Sequence, residues 1–203
     1  MSIYSHKHDL PDSVSLGPVV AIDTETMGLN LQRDRLCLVQ LCAGDGDAHL
    51  VQIAAEQQPC PNLEQLLANP ACEKLFHFGR FDIAMLKQHI GPLSGPVFCT
   101  KIASKLSRTY TDRHGLADLC RELLGLEISK QQQSSDWSAD ELTKAQREYA
   151  AGDVLYLHEL KNKLTNMLIR SGRLQMAENC FAFLSARTDL DIAGFETLDI
   201  FHH

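Results

Sequence analysis

Three short segments of this 203-residue chain place carboxylates where they could hold divalent cations. Asp23-Thr24-Glu25 ends the β-branched run Val19-Val20-Ala21-Ile22, and residues i and i+2 of a strand share a face. Two carboxylates leaving one face of an apolar strand are costly unless something positive lies between them. Asp82 closes the stretch Phe76-His77-Phe78-Gly79-Arg80-Phe81-Asp82, at the junction of a strand and a helix. Tyr149 and Asp153 stand four residues apart, so on a helix phenol and carboxylate share a face one turn apart. Each segment alone has a plainer reading: a solvated strand end, a helix-start acid favoured by the dipole, a tyrosine and an acid in water. Carboxylate oxygens suit Mg²⁺ or Mn²⁺, whereas a zinc site would call for histidine or cysteine; spacing alone does not say that the three segments share one site.

These residues need a scaffold that brings them together. Strands are expected over 19–22, Leu36–Cys42, 49–53, 74–78 and Val97–Cys99, with a hairpin turn at Gly44-Asp45-Gly46-Asp47. Helical spacing marks 62–68, with Asn62 as N-cap, and 81–90, closed by Gly91-Pro92. From Lys101 onward the pattern is mainly helical. Leu116, Leu119, Leu123 and Leu124 share a face before Gly125, Ser138 and Glu141 fit a capping box, and a last helix is expected near 173–186. Strands first and helices later imply an α/β fold, a mixed sheet of about five strands covered on both faces. The length suits one domain, residues 1–203, with a core over about 18–170 and a C-terminal helix and tail over 171–203.

Composition narrows the setting. No run approaches the roughly 18 to 20 apolar residues that span a bilayer, and residues 1–17 lack the apolar core of a secretory signal. Seven cysteines without a CxxC pair, mostly inside apolar stretches, read as buried thiols in a reducing compartment; the cytoplasm is expected. The net charge of −7 argues against a partner with a long phosphate backbone, which calls for a basic face. A very short nucleic acid, or one held through metal ions, escapes that objection.

The order of the motifs (D-x-E at the first strand, F-D after a middle strand, Y-x-x-x-D on a late helix) resembles the DEDD 3′-5′ exonucleases with tyrosine. Their fold is ribonuclease H-like. The stretch 130–160, with Asp136-Trp137, Glu148-Tyr149-Ala150-Ala151 and Asp153-Val154-Leu155, is similar to ribonuclease D. Where that family's second motif carries an asparagine ahead of its aspartate, this chain has Gly79-Arg80. The strings 99–106, 108–116 and 129–137, with the tail Leu198-Asp199-Ile200-Phe201, resemble the nanoRNase C group, stand-alone enzymes that cleave dinucleotides at the end of RNA decay.

The resemblance implies two divalent ions about 3.5 to 4 Å apart, stabilising the attacking and leaving oxygens of an in-line displacement. Asp23 would bridge them, Glu25 and Asp153 would complete the site of the water-bearing ion, Asp82 would support the second through water, and Tyr149 would contact the attacking water. Leu29 would wedge between the two bases. Arg108, Lys130 and Gln133 are candidates to grip the 5′ phosphate of a dinucleotide, with His77 beside the active site. The implied partner is short RNA, with DNA left open, and the implied assembly is an octameric ring, to which Phe195 and Phe201 could contribute subunit contacts. Two rivals remain: a ribonuclease D-like enzyme trimming longer RNA or DNA ends, and a non-catalytic nucleotide-binding module, which loss of an acid would mark.

Overall fold

The computed structural model describes residues 1–56, 58–129 and 131–202. Six strands form one mixed sheet in the order β1-β4-β3-β2-β5-β6: β1 Ile3–Lys7, β2 Val19–Thr26, β3 Leu36–Cys42, β4 Ala48–Gln52, β5 Glu73–Phe76 and β6 Val97–Cys99. β2, β3 and β4 pair antiparallel, joined at the second step by the turn containing Gly44 and Gly46, both at positive φ. The remaining neighbours pair parallel.

The sixth strand is β1, in a stretch too polar and too exposed to announce itself: Tyr4, Ser5 and Lys7 face water at the sheet edge. It lies parallel to β4 with Ile3 opposite Ala48. β3, in contrast, is buried along its whole length.

The helices are α1 Pro61–Ala68, α2 Gly79–His89, α3 Thr100–Ser107, α4 Leu116–Leu119, α5 Lys144–Leu155, α6 Leu157–Arg170 and α7 Leu174–Ile192, with a π turn, Cys120–Leu124, continuing α4. They cover the sheet in two groups. Leu38 and Leu50 pack with Trp137 and Ala150 beneath α5. Val39, Leu41 and Val51 belong to the larger cluster, which takes in Ile83 and Met85 of α2, Leu160 and Leu164 of α6 and Phe181 of α7. The seven cysteines are free thiols, and all but Cys180 are buried. Among the described residues no helix is long and apolar enough to cross a membrane.

Several local expectations shift. Asn62 does not cap α1; Cys60 holds that position, and the Asp9 carboxylate accepts from the Asn62 and Leu63 amides at 2.8 and 3.0 Å. The capping box belongs to Thr143 and Gln146 at the start of α5, whereas Ser138 turns back on Asp136. α7 runs to Ile192, past the expected 186, because its far end has partners. Arg80 and Arg187 both bind the buried Asp191, and Arg80 and Arg187 also donate to the Glu196 carbonyl. Lys87 of α2 reaches Ser185 and Asp189 of α7. Burial alone would raise the Asp191 carboxyl, but the two guanidiniums hold it below its ordinary value.

β5 ends at Phe76, and Phe78 adopts a left-handed backbone (φ 67°) that starts α2 at Gly79, two residues before the expected start. Glycine at 79 is required by space, since a Cβ there would lie 2.6 Å from Phe76 Cβ.

Candidate active site

The register of β2 against β3 decides where its acids point. Residues directly opposite in an antiparallel pair share a face. Asp23 lies opposite Gln40 and Glu25 opposite Leu38, and Leu38 faces α5. The two carboxylates therefore meet the helix that carries Tyr149 and Asp153. Carboxylate oxygens of Asp23, Glu25 and Asp153 come within 4.8 Å of one another.

Thr24 lies opposite Val39 and points to the other face, where α2 begins. Its hydroxyl donates to Asp82 Oδ1 at 2.7 Å. Asp82, 5% exposed, is not one of the three carboxylates that meet within 4.8 Å, but its charge is felt at both Asp23 and Glu25.

Four acids in so small a volume oppose one another's ionisation. Burial, then the charges of Asp82, Asp153 and Glu25, raises Asp23 well above the usual carboxylate range. Burial and the neighbouring acids push Glu25 up to about 9. Burial raises Asp82 and Asp153 to about 7, against the hydroxyls of Thr24 and Tyr149, which favour the ionised forms. The phenol of Tyr149 is raised as well, by burial first and then by Asp153, Glu25 and Asp23. Such a cluster is stabilised by positive charge, and its all-oxygen donor set matches hard divalent cations. The residues fit the ions expected of them.

The Trp137 ring packs against that of Tyr149, 5.9 Å between centroids, and braces it. Gln40, opposite Asp23 and fully buried, has no hydrogen-bond partner among the described residues for either side-chain polar atom. His77 binds Thr100 Oγ1 through Nδ1 at 2.9 Å, and Thr100 spends its own proton on the Phe76 carbonyl. Burial, then the charge of Lys101, pushes the His77 pKa down to about 3, which favours the neutral ring.

The expected substrate contacts divide. Leu29 is 79% exposed on the loop after β2, free to meet a ligand. Gln133 is exposed in a turn. Lys130 lies outside the described residues. Arg108 departs from expectation: it is 0% exposed, its guanidinium bound to Glu122, Ser104 Oγ and the Arg113 carbonyl. Its charge is spent inside the protein, so the structure does not support a phosphate grip there. The sequence reading also missed Thr24, Gln40 and Phe78; the left-handed turn at Phe78 had no signal, since glycine or asparagine is the usual sign of one.

Residues 5–169 match the family model described as 3′-5′ exonuclease. Ribonuclease D of Acidiphilium cryptum is 37% identical over 165 residues, 81% of this chain and 42% of that protein. The chain thus spans about two-fifths of the length of the curated relatives it matches. Among solved structures, Brucella melitensis NrnC with bound Mg²⁺ is 55% identical with a TM-score of 0.95, covering 100% of both chains. The same protein bound to pGG is 56% identical with a TM-score of 0.96, covering 100% of this chain and 99% of that one.

Proposed function

Because the chain belongs to the 3′-5′ exonuclease family, we propose that it hydrolyses very short RNAs, dinucleotides above all, to 5′-mononucleotides. The observation that carries the reading is the convergence of Asp23, Glu25 and Asp153 with Tyr149 beside them. All four acids and the tyrosine are present, which disfavours a non-catalytic nucleotide-binding module. The likeness to NrnC over the full length of both chains supports the dinucleotide as substrate, because one NrnC structure holds pGG.

Asp23, Glu25 and Asp153 would hold divalent cations, Mg²⁺ or Mn²⁺, with Asp82 supporting a second position; the ions would stabilise charge on the attacking and leaving oxygens. Thr24 holds Asp82 in line. Tyr149, braced by Trp137, orients the attacking water. Leu29 wedges between the bases, and Gln133 with Lys130 takes the 5′ phosphate. A ligand of two nucleotides needs few positive contacts, which accords with a net charge of −7. The exposed apolar side chains of Phe195, Leu198, Ile200 and Phe201 support self-association into a ring; light scattering showing a fully active monomer would remove that part of the reading.

The test compares 5′-phosphorylated RNAs of two to about twenty nucleotides under one Mg²⁺ concentration. The dinucleotide should be cleaved fastest and should bind about tenfold tighter with its 5′ phosphate than without. Equal rates at all lengths would leave an exonuclease that trims longer ends.

A further inference from the structure

Phe78 combines two costs that packing does not explain. Its backbone is left-handed, at φ 67° and ψ 37°, where an aromatic residue is strained. Its ring is 48% exposed and takes no place among the apolar residues packed on the core. Lys101 adds another unfavourable choice. It lies in the first turn of α3, the positive end of the helix dipole, and its ammonium sits over the Phe78 ring, 4.0 Å from the centroid. Strain of this kind clusters at active sites and ligand clamps.

The place is also specific. Phe78 immediately precedes α2, one turn before Asp82, and the charge of Lys101 is felt at His77. An exposed aromatic face with a cation against it, beside a phosphodiester-cleaving centre, matches the chemistry of a nucleotide: a flat base and an adjoining phosphate.

We propose that Phe78 is a stacking platform for one base of the substrate, with Lys101 holding the ring and supplying a cation to the neighbouring phosphate. The left-handed turn leaves the ring exposed one turn ahead of Asp82. The inference rests on the dinucleotide reading above and adds to it a second contact for a base, separate from Leu29.

The experiment measures KM and melting temperature with a 5′-phosphorylated diguanylate RNA in Mg²⁺. Phe78→Gly relieves the backbone strain and removes the ring, so the protein should melt higher while KM rises about tenfold or more. Phe78→Asn, which tolerates the left-handed turn, should behave alike, and Phe78→Trp should restore KM to within about threefold of the original. Two analogues, each lacking one of the two bases, locate the contact. Phe78→Gly should lose its effect on one analogue and keep it on the other. An unchanged KM in Phe78→Gly and Phe78→Asn, or an equal loss on both analogues, would overturn the platform. Failure of the unmodified protein to cleave the dinucleotide at all would instead overturn the proposed function.

Discussion

Thr24 Oγ1 and Asp82 Oδ1 lie 2.7 Å apart, so the middle residue of the first acidic motif holds the carboxylate of the second. Fifty-eight positions separate them in the chain. Asp23 and Glu25 leave one face of β2, and Thr24 uses the opposite face to position the fourth acid. Thr24→Val keeps the shape and removes the hydroxyl. The variant should lose about 1 to 2 kcal/mol of stability and at least about tenfold in turnover, measured by denaturant unfolding and by dinucleotide hydrolysis. Turnover equal to the unmodified protein would show that Asp82 needs no such support.

Asp153→Asn should abolish hydrolysis and, without metal, raise the melting temperature by removing one of four opposed charges. The pH dependence has a definite sign. Glu25, Asp82 and Asp153 have folded-state values of about 9, 7 and 7, above those of an unfolded chain. Between about pH 4 and those values the native state binds more protons, so metal-free stability falls as pH rises. Mg²⁺ should therefore raise the melting temperature more at pH 8 than at pH 6, and less in Asp153→Asn at either pH. A shift independent of both pH and variant would place the ion elsewhere.

Tyr149→Phe removes one hydroxyl and leaves the ring against Trp137. Turnover should fall on the order of 10² to 10⁴-fold, the range for a positioned proton-transfer group, with KM little changed. Full activity would reduce Tyr149 to packing.

His77 gives a dependence of the opposite sense. Its folded-state value of about 3 lies below the ordinary 6.5, so between the two the native state binds fewer protons. Its contribution is intact above pH 6.5 and is lost as pH falls toward 3. His77→Asn should lessen the drop in melting temperature between pH 7 and pH 4.5. An identical drop in both proteins would mean that the ring takes its proton without cost.

The acids and Tyr149 stand out because the order of their motifs resembles that of the DEDD exonucleases; spacing alone leaves each a plainer reading, and the structure then brings Asp23, Glu25 and Asp153 together. The mixed sheet was legible in the apolar runs of β2 and β3. Position across the chain was not. Arg108 is as plausible a surface cation as any until Glu122, on a separate turn, takes its charge inward. Asp9 caps α1 from more than fifty residues away, a role no window around Asn62 contains. β1 was missed because an edge strand facing water lacks alternation, and parallel pairing with β4 alone defines it.

The clasp between α2 and α7 separates two kinds of boundary. The family match stops at residue 169, yet Arg80 and Lys87, on the helix that carries Asp82, find their partners at 185, 189, 191 and 196. A chain shortened to the matched region would keep every acid and strip the counter-ions from the helix that aims one of them. What alignment delimits as the catalytic unit is thus smaller than what the lever arm of that helix requires. A change near the C-terminus can reach the acidic cluster through α2 without touching it.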